Sequence, residues 1–312
     1  MVETKNIGLR GIKVADTRIS DVDGERGILI YRGFNAIELA QYSTFEEVSF
    51  LLLKDRLPSR EELKGFTQEL VSERDLPEAV LKVLPLFPRS ASPMDVLQSI
   101  VPLLGSFDPQ LHEETREANL KKAVRLIAKL PGVVAAWDRI RNDKPAIPSR
   151  PDLSHAGNFL YMLSGALPDE ETSRDFDVCL ILHAEHSFNA STFAGREVAS
   201  THAHMYASIA AAIGALSGEL HGGANSEVMK MLLEIGEIDR VAPWVSEKLQ
   251  KGGKVMGMGH AVYHTEDPRA SLLRKIAEKL ALRTGERKWL SLIHISEPTR
   301  LLSISYAVFC LK

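Results

Sequence analysis

The run Met205-Tyr206-Ala207-Ser208-Ile209-Ala210-Ala211-Ala212-Ile213-Gly214-Ala215-Leu216-Ser217-Gly218-Glu219-Leu220, followed by His221-Gly222-Gly223-Ala224-Asn225, decides the fold class. Its alanine-rich, apolar spacing predicts an amphipathic helix from Met205 to Leu220. The paired glycines end that helix, and Asn225 is placed to cap the next one. His221 therefore falls in a tight bend between helices, beside a helix N-terminus. N–H groups exposed there favour a neutral imidazole and an anionic ligand. On these five residues alone, a histidine that merely belongs to a helix-ending turn is an even alternative.

Outward from this bend, helix signals dominate the chain. Ser43-x-x-Glu46 and Ser59-x-x-Glu62 have the form of capping boxes, and Ser92-Pro93-x-Asp95 sets a cap, a first-turn proline and a first-turn acid. Further helices are expected at Glu114 to Leu130, stopped by Pro131-Gly132, and at Val133 to Arg141. A long loop covers Asn142 to Pro151, and beyond Asp152 helices recur. Only the start reads otherwise: Ile12 to Ile19 and Gly27 to Tyr31 flank Asp23-Gly24, a hairpin signal. The expected architecture is mainly α with a short N-terminal β-hairpin.

Composition agrees and excludes several classes. The 312 residues are 45% hydrophobic and 25% charged, with a formal net charge of −3. Disorder is excluded on that composition, and no charge excess suggests nucleic acid or a membrane surface. Cys179 and Cys310 cannot make a disulfide framework or a four-thiolate zinc site. Tyr206 to Leu220 is the nearest approach to an apolar span, too short and interrupted by Ser208 and Ser217. With no signal-like N-terminus, the expected location is the cytoplasm.

Four other motifs carry chemistry. His183-Ala184-Glu185-His186 would place two histidines on one helix face; H-x-x-H is weak as a zinc motif, and histidines bonded within a helical interface are the commoner outcome. Asn189-Ala190-Ser191 has the form of a glycosylation site, without use in a chain lacking a secretory signal. Lys251-Gly252-Gly253-Lys254-Val255-Met256-Gly257-Met258-Gly259-His260 is a loop whose glycines allow close backbone approach to a ligand. No apolar strand precedes it, so a dinucleotide fold does not follow. Asp267-Pro268-Arg269 reads as cap, first position and first turn of a helix bearing Leu273, Ile276 and Leu280. A cation there costs roughly 0.3–1 kcal/mol, a penalty removed if Arg269 grips a carboxylate bidentately; a solvated arginine is the plain alternative. Tyr31-Arg32-Gly33-Phe34 otherwise reads as a strand end.

Taken together, Tyr31-Arg32-Gly33, His-Ala-Glu-His, His-Gly-Gly-Ala-Asn, Gly-Met-Gly-His-Ala-Val-Tyr and Asp-Pro-Arg resemble the citrate synthase family, from about Gly8 to Trp289. The likeness is to the shorter bacterial and archaeal enzymes, which include 2-methylcitrate synthases. It implies a citrate synthase-like multi-helical large domain over 1–217, a smaller helical domain over 218–290, a homodimer, and condensation of acetyl-CoA with oxaloacetate. Acetyl-CoA is then a co-substrate; no permanently bound cofactor and no metal are implied. Carried onto this chain, the resemblance makes His221 the partner of the thioester carbonyl and His260 the donor to the oxaloacetate carbonyl. His186 and Arg269 would hold oxaloacetate, and Gly253, Lys254, Val255, Met256 and Gly257 would lie along CoA.

The departure from the family comes late. The family's catalytic aspartate lies beyond the Asp-Pro-Arg helix, yet Asp267 is the last aspartate here. Residues 291–312 match nothing expected and resemble translated adapter DNA fused to a truncated frame. The expectation is a chain impaired in catalysis, with exposed apolar surface where missing helices would pack and a weakened dimer. Three rivals are kept: a 2-methylcitrate synthase using propionyl-CoA, a metal-dependent hydrolase built on His183, His186 and His202, and a non-catalytic helical interaction protein.

Overall fold

A computed structural model describes residues 15–219, 221–253, 255 and 262–285. The tail after Gly285, and with it the proposed foreign segment 291–312, lies outside the described residues.

Three short strands open the chain: β1 (Ser20–Asp23), β2 (Ile28–Tyr31) and β3 (Phe34–Asn35), paired antiparallel in that order. The expected hairpin is present, but its first strand begins at Ser20 and not within the run to Ile19; the described residues of that run pair with no strand. Arg32 and Gly33 both take positive φ, 47° and 88°, so they form a two-residue turn that sends the chain straight back into β3. Tyr31-Arg32-Gly33-Phe34 is thus a strand end and a hairpin at once.

Thirteen helices follow among the described residues: α1 (Ala36–Tyr42), α2 (Phe45–Lys54), α3 (Arg60–Ser72), α4 (Glu78–Val83), α5 (Pro93–Gly105), α6 (Arg116–Arg141), α7 (His155–Ser164), α8 (Glu170–Leu182), α9 (Ala190–Ser200), α10 (Met205–Leu216), α11 (Ala224–Ile235), α12 (Val241–Gln250) and α13 (Ala270–Thr284). The capping box at Ser59 forms as expected. At α2 the cap is Thr44 with Glu47, one residue later than the Ser43/Glu46 reading. Ser43 instead ends α1, and the Glu46 carboxylate is buried, accepting the His155 backbone N–H at 2.8 Å.

Pro131 does not stop α6. The helix runs through it, because tertiary packing outweighs the lost N–H. Gly132 closes against Leu76, and Val133, Ala136 and Trp137 are buried in one cluster with α4 and α5 residues. Similarly, α10 ends at Leu216 and not at Leu220. The chain turns back sharply there: the N–H groups of His221 and Gly223 both donate to the Gly218 carbonyl, and a Cβ at Gly222 would collide with the Leu216 carbonyl. Asn225 does not cap α11, since Gly223 occupies that position.

Two main cores result. One unites the β-hairpin, α1, α2, α7 and α8 with Val228, Ile235, Val255, Leu273 and Ala277 from the last helices. The other joins α4, α5, α6 and α10. The connection between α8 and α9, residues 183–189, leaves the first core and enters the helix pair α9–α10, which packs on the second.

Candidate active site

His221 sits in the predicted bend. Its Nε2 lies 2.9 Å from Ser191 Oγ and accepts the Ser191 backbone N–H at 3.3 Å. These two contacts orient the ring. Desolvation holds its pKa below the ordinary histidine value, which favours the neutral form. Ser191 is itself positioned: Asn189 caps α9, accepting from Ser191 Oγ at 2.7 Å and from the Thr192 N–H at 2.8 Å. The Asn189-x-Ser191 pattern is therefore a helix cap that presents a serine to His221.

The His183-Ala184-Glu185-His186 segment departs from the expected helix face. Helix α8 ends at Leu182, and His183 is its C-cap, with Nδ1 2.7 Å from the Cys179 carbonyl. His186 turns to the other end of the chain, placing Nε2 3.1 Å from Tyr263 OH with the rings edge-on at 5.5 Å. Between them Glu185 ties the loop to β1, accepting from Ser20 Oγ at 2.8 Å and from the Ser187 N–H at 2.5 Å. His202 lies elsewhere, 3.1 Å from Glu114. His183, His186 and His202 thus do not converge, and among the described residues no three His, Cys, Asp or Glu form a group able to hold a metal.

Arg269 is the third component. Its guanidinium, 8% exposed, is clamped by Asp267, 1% exposed: Nε to Oδ1 at 2.9 Å and Nη2 to Oδ2 at 2.6 Å. The Arg269 backbone N–H also donates to Oδ1, at 3.0 Å. The helix proper begins at Ala270 with Arg269 at the N-cap position and no side-chain capping bond, so Asp267 does not cap α13 as expected but neutralises the Arg269 cation. A carboxylate that grips Arg269 bidentately is supplied by its own chain, through Nε and Nη2. Two buried phenols surround this pair. Burial pushes Tyr31 upward while the Arg269 charge partly opposes it; burial and the Asp267 carboxylate both push Tyr263 upward. Both are neutral hydroxyls at physiological pH, and Tyr31 OH donates to the Leu182 carbonyl at 3.3 Å.

The hairpin turn holds the Arg269 approach in place. His264 N–H donates to the Gly24 carbonyl at 2.9 Å, and a Cβ at Gly24 would collide with the Val262 carbonyl. In the glycine-rich loop, Gly253 N–H donates to the Lys248 carbonyl, Gly252 takes φ 70° and Val255 is buried. His260, Lys254, Met256 and Gly257 lie outside the described residues. Of the expected residues, the 183–191 segment therefore connects His221, through Ser191, with His186, whose partner Tyr263 stands by Arg269. Ser191, Tyr263, Asp267 and Glu185 were not singled out as site residues; each lies inside or beside a quoted motif, which was their only signal.

Comparison with known proteins gives the family. The family model described as "Citrate synthase, C-terminal domain" matches residues 8–300. Citrate synthase of Haloferax volcanii is 42% identical over 287 residues, covering 90% of this chain and 76% of the relative. A 2-methylcitrate synthase of Mycobacterium tuberculosis is 38% identical over 288 residues, covering 92% of this chain and 73% of that relative. Among solved structures, citrate synthase from Pyrobaculum aerophilum superposes with a TM-score of 0.89 at 36% identity, covering 97% of this chain and 81% of that one. The Thermoplasma acidophilum citrate synthase, solved as a ternary complex with carboxymethyl coenzyme A and oxaloacetate, gives 0.88 at 27% identity, with coverage of 97% and 87%. Fold and site define an acyltransferase of mainly helical build. The chain belongs to the citrate synthase family.

Proposed function

We infer that the protein condenses acetyl-CoA with oxaloacetate to give citrate and CoA, with no resident cofactor. His221 and His260 are the catalytic histidines in this reading, His186 and Arg269 hold oxaloacetate, and Gly253 to Gly257 follow CoA. The observation that carries it is the setting of His221 in a chain of this family: a ring oriented through Nε2 by Ser191, with desolvation favouring its neutral form. Transfer of a methyl proton from the thioester to a carboxylate base, the role the family gives to an aspartate, places negative charge on the thioester oxygen. A positioned neutral N–H stabilises that oxygen without first releasing a proton of its own. The new carbon–carbon bond then forms at the oxaloacetate carbonyl carbon, and its oxygen takes up a proton beside His260. Hydrolysis of the thioester releases CoA.

Such chemistry needs water excluded until the bond has formed. The proposed smaller domain, 218–290, carries Arg269 and the glycine-rich loop, and its contact with the 183–191 segment and the hairpin turn supports closure over the reactants. Homodimer formation is part of the same reading. Among the described residues no helix is long and apolar enough to cross a membrane.

The test is calorimetric titration with oxaloacetate, together with oxaloacetate-dependent release of CoA from acetyl-CoA. Oxaloacetate is expected to bind, and Arg269→Ala is expected to weaken it by at least about tenfold, the scale of one charge-assisted pair. Unchanged affinity in that variant refutes the assignment of Arg269. A second reading, condensation of propionyl-CoA, is supported by the 2-methylcitrate synthase relative. One methylene changes discrimination by only about 1–3 kcal/mol, so turnover of the two acyl-CoA substrates compared side by side decides between them.

A further inference from the structure

A cavity of about 290 Å³ lies away from the site, at the opposite end of the α9–α10 pair from His221. Helix α10 has 12 residues, so the two places are separated by roughly 18 Å along its axis. The cavity is formed where the loop before α6 meets the turn between α9 and α10, and its lining includes His112, Lys122, His202, His204 and Ser208.

Two of these side chains are in an unusual electrostatic state. Lys122 is 1% exposed. Its Nζ donates to the Glu113 carbonyl at 2.6 Å and more weakly to the Leu111 carbonyl at 3.4 Å, and no carboxylate pairs with it among the described residues. Buried charges are normally neutralised by an opposite charge, and an ammonium has a third proton to donate. Ser208 is 7% exposed, and its buried Oγ has no hydrogen-bond partner. Helices α6 and α10 both begin here, with Lys122 in the second turn of one and Ser208 in the first turn of the other, so two positive dipole ends reinforce the ammonium. The carboxylate of Glu114 does not cancel this field. It is 61% exposed at the rim and is engaged by His202 at 3.1 Å.

We propose that this cavity is a binding site for a small anion bearing a phosphate or carboxylate group, held by Lys122 and Ser208 at its floor and by the imidazoles of His112 and His204 at its wall. Their rings stand 6.1 Å apart, edge to face. The site is independent of the substrate site and needs none of its residues.

The experiment follows the ring resonances of His112 and His204, assigned with His→Gln variants, while inorganic phosphate or malonate is added to the intact protein. Saturable shifts in both resonances are expected with at least one of the two anions, and the anion that binds more tightly identifies the headgroup. Lys122→Met is expected to weaken that binding by at least about tenfold. Should that variant fail to fold, His112→Gln at its exposed position is expected to weaken binding measurably, with native stability retained. Resonances that do not move with either anion, or unchanged affinity in every variant that folds, overturn the proposal.

Discussion

At the residue scale, the pair that decides most is Arg269 with Asp267. Both are buried, and their mutual bidentate bonding keeps a cation stable against desolvation that by itself works against the charge. Breaking such a pair from one side strands the other charge. Asp267→Asn is therefore expected to destabilise the protein by about 3–5 kcal/mol, read by urea denaturation; a loss below about 1 kcal/mol, the scale of a surface pair, contradicts the burial argument. Sequence reading reached His221 because glycine pairs dictate a bend whatever surrounds them. It reached Arg269 as a helix-start cation, but not its partner, since a carboxylate two residues away reads equally as a cap. His183 and His186 were placed on one helix face because their spacing allows it; nothing local revealed that α8 stops at Leu182 so that Glu185 can reach Ser20.

Elements show where local signals and packing compete. Thr44 and not Ser43 caps α2, and the distinction is measurable. Thr44→Ala should cost about 1 kcal/mol, whereas Ser43→Ala, whose side chain makes no capping bond, should cost less than half as much on the same denaturation curve. Helix α6 is the opposite case, a local stop signal overridden. A mid-helix proline costs up to about 3 kcal/mol, so Pro131→Ala is expected to stabilise the protein on the same denaturation curve. A destabilised variant contradicts that expectation. The mainly helical class, most helices and the hairpin were legible, because amphipathic spacing and turn residues are local. The continuity of α6, the early end of α10 and the shift of the α2 cap were not, because each is settled by a residue distant in sequence.

Across the whole molecule, two buried groups near the junction of α1, α2, α7 and α8 pull the pH dependence of stability in opposite directions. Burial, reinforced by the Arg74 charge, lowers His155 to about 4. Between that value and its unfolded value near 6.5, the unfolded chain binds more protons, so this group makes stability rise with pH. Burial, reinforced by the Glu46 charge, raises Asp177 to about 6. Between its unfolded value near 3.9 and 6 the folded chain binds more protons, so this group makes stability fall as pH rises. Removing one exposes the other. On going from pH ~6.5 to ~4.5, Asp177→Asn should lose roughly 2 kcal/mol more stability than the parent protein, compared by urea denaturation at both values. Equal losses would mean that Asp177 titrates as an ordinary carboxyl. The docking of Gly24 against Val262 and His264 bears on assembly in the cell. Synthesis delivers this ribbon more than two hundred residues before the segment it must grip, so a nascent chain carries an unsatisfied edge through that interval and pays a long-range closure entropy when Val262 emerges. Bringing Arg269 to its post is then a late step, and slowed release from the ribosome should delay binding competence far more than it delays helix formation.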